Sequence, residues 1–211
     1  MSRTIVVINP NSSEKITKQI QAAVQTVDAD AIAVTSRAGP PAIESDDDVT
    51  AAVAPMIATA DRHSAAAYVV ACFSDPGLDD LRAHSTTPAF GIAESAIRVA
   101  SETGSKVGVI SSVAASLPRH ERYWQKIGAT ELIAADIPLG LGVLELDTPQ
   151  AFERALAAGR LLIEAGADVI VLGCTGMTHM ESRLEGALGV PVVDPCRAAI
   201  ELARRTIEEL M

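Results

Sequence analysis

Two cysteines, Cys72 and Cys174, stand in matching local sequences. Each follows a short apolar run and precedes small and polar turn residues, in the segments 69–77 and 169–177. A thiolate can take a proton from carbon and a thiol can return one, so two such groups acting on opposite faces of one carbon would invert it. The backbone amides of the small-residue turns could stabilise the enolate that forms. The pair therefore predicts acid/base catalysis at a carbon-bound stereocentre.

A thiol that lies just before a helix N-terminus is close to the positive end of the helix dipole. Such surroundings lower a cysteine pKa from about 8.5 towards about 3.5–7.5. A single cysteine at a strand end is more commonly a small buried apolar residue. Two cysteines at equivalent positions with similar turns favour the catalytic interpretation. Cys196 has no such counterpart, so we interpret it as structural.

The spacing of the two cysteines matches a repeat of the whole pattern. Cys72 and Cys174 are 174 − 72 = 102 residues apart, and the apolar runs that begin near Ile5 and Val107 are separated by 107 − 5 = 102. Pro88 and Pro191 differ by 103. The chain is thus predicted to contain two copies of one plan, with each cysteine ending the third strand of its copy.

Strand and helix patterns alternate four times in each half, which predicts an α/β fold with two similar domains, each a four-stranded parallel sheet flanked by helices. The expected domains are 1–94 plus 195–211 and 95–194, related by a pseudo-twofold axis. Since ligands bind beyond the carboxyl ends of parallel strands, we expect an active-site cleft between them. The expected strands are Thr4–Ile8, Ala31–Thr35, Ala67–Cys72, Ala89–Ile92, Lys106–Ile110, Glu131–Ala134, Asp168–Gly173 and Val190–Val193. The expected helices include Ser12–Val27, with Asn11 and Glu14 as a capping box.

Composition argues against several other classes of protein. Aromatic residues make up only 3% of the chain and the net charge is −10, which disfavours a nucleic-acid partner. No apolar run reaches the roughly 18 residues of a membrane span, and three cysteines without a CxxC pair predict thiols in a reducing compartment, so we expect a cytoplasmic protein.

Metal and nucleotide chemistry are also disfavoured by the sequence. The four histidines show no metal-ligand spacing, and no G-x-S-x-G, Walker A or G-x-G-x-x-G motif occurs. The acidic run 44–48 is typical of a helix start, where the helix dipole favours negative charge, and Glu94 fits either a helix cap or the cleft. We predict no metal and no cofactor.

The chain resembles the Asp/Glu/hydantoin racemase superfamily, and within it the hydantoin and allantoin racemases. The resemblance runs over essentially the full length and is carried by the segments 9–13, 39–44, 72–78, 91–94 and 172–177. The segment Cys-Phe-Ser-Asp-Pro-Gly-Leu at 72–78 is the most specific of these. The resemblance implies a cofactor-independent racemase and homo-oligomer, with Cys72 and Cys174 as acid/base residues and a hydantoin-type small molecule as substrate.

The resemblance and the neighbourhood of the cysteines together give a set of expected substrate-binding residues. They are Asn11, Ser12, Ile43, Phe73, Ser74, Ser111, Ser112, Thr175 and Gly176. Two positions depart from the family pattern, since serines stand at 111–112 where threonine is common and Thr175 replaces a common alanine. Gly176 occupies the place where amino-acid racemases have histidine, and His179 is therefore given no catalytic role.

Three alternatives stay open at this point. A decarboxylase or isomerase of the same superfamily would share the fold, although it could work with one cysteine. An amino-acid racemase of the Asp/Glu type would use both. A two-lobed small-molecule binding protein would carry inert cysteines and catalyse no proton exchange.

Overall fold

A computed structural model describes residues 4–210, the side chain of Leu144 excepted. The chain forms two compact units. One runs as far as Ser95 and also contains the chain from Cys196 onward, and the other is Ala96–Pro195. Each unit is built around one parallel sheet, as the alternating strand and helix patterns predict.

The sheet of the first unit has the strand order β2-β1-β3-β4, with every pair parallel. The two central strands, β1 and β3, are fully buried and consist almost entirely of apolar residues, which suits a sheet covered on both faces. Its strands are β1 Ile5–Asn9, β2 Ile32–Thr35, β3 Ala67–Val70 and β4 Ala89–Gly91. The helices that follow these strands are α1 Glu14–Gln25, α2 Asp46–Ala60, α3 Leu78–His84 and α4 Ile92–Thr103.

The sheet of the second unit repeats the same order as β6-β5-β7-β8, again parallel. Its strands are β5 Val107–Ser111, β6 Ile133–Pro138, β7 Val169–Leu172 and β8 Val192–Val193. The helices that follow them are α5 Leu117–Lys126, α6 Pro149–Glu164, α7 Glu181–Leu188 and α8 Pro195–Glu209. The predicted pair of four-stranded parallel sheets flanked by helices is confirmed.

The sixth strand differs from its prediction. It was expected over Glu131–Ala134 but runs over Ile133–Pro138, because a 3-10 turn occupies Thr130–Leu132. Asp136 ended the apolar run in the sequence, yet it lies inside the strand, where its carboxylate has hydrogen-bond partners.

Local capping explains where the first two long helices begin. The acidic run starts α2 as expected: Ser45 is the N-cap, and Ser45 and Asp48 form a reciprocal capping box. The predicted Asn11–Glu14 capping box is wrong. Ser13 is the N-cap of α1, since its hydroxyl accepts from the Ile16 N–H at 3.3 Å, and Asn11 instead orders the loop before it.

Both cores consist mainly of Ala, Val, Ile and Leu, as the low aromatic content requires. Helix α6 lays a face of small residues against the second sheet, which lets its backbone approach closely. In the described part of the chain, no helix combines the length and the apolar character that crossing a bilayer would need.

Candidate active site

Cys72 and Cys174 occupy equivalent positions in their own sheets. The N–H of Ala71 donates to the Ile8 carbonyl at 2.9 Å, and the N–H of Gly173 donates to the Ile110 carbonyl at 2.7 Å. The separations are 71 − 8 = 63 and 173 − 110 = 63, so the residue before each cysteine makes the same ladder bond. Each cysteine therefore emerges at the carboxyl edge of its sheet, where ligands of parallel sheets bind. Both are partly exposed, whereas Cys196 is buried.

The turn after Cys72 is held by Asp75. The Asp75 N–H donates to the Cys72 carbonyl at 2.9 Å, which closes the turn. The buried Asp75 carboxylate accepts from the backbone N–H groups of Ala93 at 3.0 Å and Glu94 at 2.9 Å, in the first turn of α4. A carboxylate at a helix N-terminus is favoured by the helix dipole. Asp75 thus ties the cysteine turn to the end of the neighbouring strand β4.

This tie depends on a close approach that only glycine allows. A Cβ at Gly91 would lie 2.2 Å from the Asp75 carboxylate. Asp75 itself has a φ of 42°, in the left-handed region that Asp and Asn tolerate better than most residues. The turn predicted between Cys72 and the next helix is present: α3 begins at Leu78, after the left-handed Asp75 and the proline that follows it.

The turn after Cys174 is also held by a carboxylate, but that carboxylate does not belong to the turn itself. Cys174 is the N-cap of a 3-10 helix, Thr175–Met180, and its carbonyl accepts from the Met177 N–H at 3.1 Å. The Thr178 hydroxyl donates to the Asp194 carboxylate at 2.5 Å. Asp194 is buried and directly follows β8. Here the carboxylate directly follows the fourth strand, and the hydroxyl that donates to it lies on the cysteine turn.

The loop after β1 contains two of the predicted substrate contacts. The Asn11 side-chain oxygen accepts from Asn9 Nδ2 and from the Ser13 N–H, both at 2.9 Å. The Ser12 N–H donates to the Pro40 carbonyl at 2.9 Å, and its hydroxyl lies 3.3 Å from the same oxygen. Both residues therefore fix the loop beside Cys72, because β1 and β3 are neighbours in the sheet.

The end of β5 orders the loop beside Cys174, as the loop after β1 does beside Cys72. The Ser111 and Ser112 carbonyls accept from the N–H groups of Leu139 at 2.8 Å and Leu141 at 3.0 Å. The Ser111 side chain is fully buried and donates to Asp136, and His120 Nδ1 lies 3.3 Å from its oxygen.

The predicted site residues therefore fall into two groups, one at the carboxyl edge of each sheet. The first unit holds Asn11, Ser12, Ile43, Cys72, Phe73 and Ser74, and the second holds Ser111, Ser112, Cys174, Thr175 and Gly176. Phe73 is buried, and Ser74, Thr175 and Gly176 are partly exposed. Glu94 pairs with Arg82 of α3, which also donates to the Ala89 carbonyl at 3.0 Å.

Sequence analysis missed four polar residues that order these edges: Asp75, His120, Asp136 and Asp194. A charged residue inside or directly after a buried strand was the available signal for Asp136 and Asp194. His120 gave none, because its spacing fits no metal motif and its partners are distant in the sequence.

A family model described as Asp/Glu/Hydantoin racemase matches residues 5–203. A hydantoin racemase of Paenarthrobacter aurescens is 35% identical over 217 residues, which cover 96% of this chain and 90% of the relative.

Solved structures agree with this relationship. An allantoin racemase from Klebsiella pneumoniae superposes with a TM-score of 0.94 at 30% identity, covering 100% of this chain and 89% of that one. An allantoin racemase from Pseudomonas fluorescens has a TM-score of 0.92 at 25% identity, covering 99% and 92% respectively.

Proposed function

Since the chain belongs to the Asp/Glu/hydantoin racemase family, we propose that it is a racemase of a 5-substituted hydantoin or of allantoin. Cys72 and Cys174 are its two acid/base groups. The observation that carries this proposal is the equivalent position of the two thiols, each one residue beyond the same ladder bond at the carboxyl edge of its sheet.

The reaction needs only proton transfer. The ring carbonyl acidifies the adjacent C–H, so one cysteine as thiolate takes that proton and leaves an enolate. The other cysteine, as thiol, gives its proton to the opposite face of the same carbon. The product is the other enantiomer, with the protonation states of the two thiols exchanged. The reverse reaction uses the same groups in opposite roles.

The remaining predicted residues either contact the ring or order the loops around it in this proposal. Ser74 and Thr175 follow the cysteines directly or after one residue, which suits contacts to the reacting carbonyl. Asn11 and Ser12, together with Ser112, order the loops on either side. Ile43, Phe73 and Gly176 set the space for the substituent, and Ser111 supports Ser112 from within the sheet.

Three further properties stay proposals. We expect the enzyme to act without a metal or cofactor, because two thiols supply both the base and the acid. We expect a cytoplasmic homo-oligomer with the predicted domains 1–94 plus 195–211 and 95–194. Metal analysis of active samples tests the first expectation, and light scattering of the purified protein tests whether it is a homo-oligomer.

The test of function is isotope exchange by single enantiomers in D₂O. Wild-type protein should lose optical rotation while deuterium enters at the stereocentre. Cys72→Ser and Cys174→Ser should each stop racemisation, because each removes one of the two proton carriers. Cys196→Ala is the matched control and should keep its activity, since Cys196 is buried and lies outside the proposed site.

The outcomes separate the alternatives. Near-full activity in either serine variant would refute the two-thiol mechanism. Release of carbon dioxide from a substrate that carries a carboxyl group would indicate a decarboxylase. Deuterium uptake with free aspartate or glutamate, and none with hydantoins, would identify an amino-acid racemase. No exchange with any of these would favour a binding protein.

A further inference from the structure

Three polar side chains form a hydrogen-bonded network inside the second unit. The Ser111 hydroxyl donates to Asp136, and His120 Nδ1 lies 2.8 Å from the other oxygen of the same carboxylate. His120 Nδ1 also lies 3.3 Å from Ser111 Oγ. Ser111 is 0% and His120 3% exposed, and the Asp136 side chain is 12% exposed, so the network is largely shielded from water. We name it the Ser111–His120–Asp136 network.

The network contains the residue types of a serine-hydrolase triad but not its geometry. In a triad the imidazole bridges serine and aspartate through its two different nitrogens. Here a single nitrogen, Nδ1, faces both partners, and the serine already donates to the carboxylate. Ser111 is also inaccessible to a substrate carbonyl. The Ser111–His120–Asp136 network is therefore suited to holding β5 and β6 in place and not to nucleophilic catalysis.

This support lies one residue from the strand contact that places Cys174. Ile110, next to Ser111 in β5, accepts the Gly173 N–H at 2.7 Å. A Cβ built at Gly173 would lie 2.7 Å from the Ile110 oxygen and 3.3 Å from the Ser111 Cα, so the two strands approach as closely as they can. A shift of Ser111 therefore changes the contact with Gly173, and Cys174 is the next residue.

At the position equivalent to Ser111, the first unit has a network of neutral side chains. The residue equivalent to Ser111 is Asn9, since 111 − 102 = 9. Asn9 Nδ2 donates to Asn11 at 2.9 Å and to Thr17 at 3.0 Å. A mostly buried carboxylate such as that of Asp136 is costly unless it is hydrogen-bonded, and removing one of its partners leaves its charge uncompensated. At this pair of equivalent positions, the ionisable groups therefore lie on the Cys174 side.

We propose that His120 and Asp136 are positioning residues for Cys174, acting through Ser111 and the β5–β7 contact. This inference rests on the proposed function in one respect: Cys174 is taken as one of the two acid/base thiols. A misplaced proton carrier slows the chemical step but leaves binding of the substrate largely intact. Loss of the network should thus lower kcat much more than it raises KM.

The experiment compares Asp136→Asn and His120→Phe with wild-type protein. Asp136→Asn keeps the side-chain shape but removes the charge, and His120→Phe keeps a ring but removes Nδ1. The matched control is Asp61→Asn, because Asp61 pairs with His84 at the same 2.8 Å distance on an exposed surface. Melting temperature and circular dichroism confirm folding before kinetics are measured.

Two readouts are taken from each variant. The first is the racemisation kcat and KM. The second is the alkylation rate of each thiol by iodoacetamide in the native protein, measured on the tryptic peptides 63–82 and 161–183, which carry Cys72 and Cys174 separately. Cys72 serves as the internal reference, because it lies in the other unit.

We expect kcat to fall by about tenfold to a hundredfold in both variants, since about 1 Å of misplacement can cost about a hundredfold. The alkylation rate should change at Cys174 and stay at the wild-type value at Cys72. Asp61→Asn should match wild type in both readouts. Unchanged kcat in both variants, or equal changes at the two thiols, would overturn the proposal.

Failure to fold is also decisive. If neither Asp136→Asn nor His120→Phe folds, the network serves stability alone and the positioning role is rejected. The two proposals fail in different ways. A wild-type protein that does not racemise hydantoins contradicts the proposed function, yet a Cys174-selective change in alkylation would still support the link from the network to that thiol.

Discussion

Replacing Gly173 by alanine tests the geometry on which the Cys174 site depends. The new Cβ would lie 2.7 Å from the Ile110 carbonyl oxygen, whereas ordinary van der Waals contacts begin at 3.4 Å. The shortfall is 3.4 − 2.7 = 0.7 Å. The obstructing atom belongs to the backbone of a central strand, so it cannot rotate away as a flexible side chain would.

The β7 end must therefore move by a large part of that distance, and Cys174 moves with it. Misplacement by about 1 Å can cost about a hundredfold in rate, so we expect kcat to fall by roughly tenfold to a hundredfold. That loss corresponds to about 1.4–2.7 kcal/mol in the activation free energy. The substrate-binding loops of the first unit are untouched, and KM should change less than kcat.

Polarimetry of a single hydantoin or allantoin enantiomer measures the effect, at a temperature well below the melting transition of the variant. Gly186→Ala is the matched control. It lies within α7 of the same unit, and a Cβ there meets nothing within 4 Å. It should keep full activity and gain roughly 0.5–1 kcal/mol of stability. A folded Gly173→Ala protein with wild-type kcat would refute the reasoning, as would an equal loss in Gly186→Ala.

The remaining predictions concern two carboxylates that order turns. Asp75→Ala should lower the free energy of unfolding by about 3 kcal/mol, because it leaves the buried N–H of Ala93 and the partly buried N–H of Glu94 without their charged acceptor. Denaturant unfolding measures this, and an unchanged midpoint would contradict it. The backbone N–H of Lys106 donates to the Asp168 carboxyl, and the hydroxyl and N–H of Ser105 donate to it as well. Together these hydrogen bonds lower the pKa of Asp168 from 3.8 to about 2. Because the folded pKa is depressed, this stabilisation is present above pH 4 and is lost as the pH falls towards 2. Asp168→Asn should remove that part of the acid dependence of the melting temperature. A variant whose melting temperature follows the same pH profile as wild type would contradict this.

The sequence by itself determined the architecture and the matching positions of the two thiols. Both depend on local patterns: buried apolar runs, helical periodicity and turn residues recur at one offset. The 102-residue spacing of Cys72 and Cys174 therefore predicted an equivalence that the ladder bonds to Ile8 and Ile110 confirm. The roles of the cysteines stay predictions, because catalysis depends on more than position.

Only the tertiary structure decided which polar groups order the thiol turns. Asp75 and Ala93 are 18 residues apart and His120 and Asp136 are 16 apart, so no local pattern relates them. Their pairing depends on which strand ends become neighbours in the sheet. The same dependence on tertiary contacts explains the error in the bounds of the sixth strand. The predicted sixth strand ends at Ala134, whereas Asp136 lies inside the strand, where Ser111 and His120 hydrogen-bond its partly buried carboxylate.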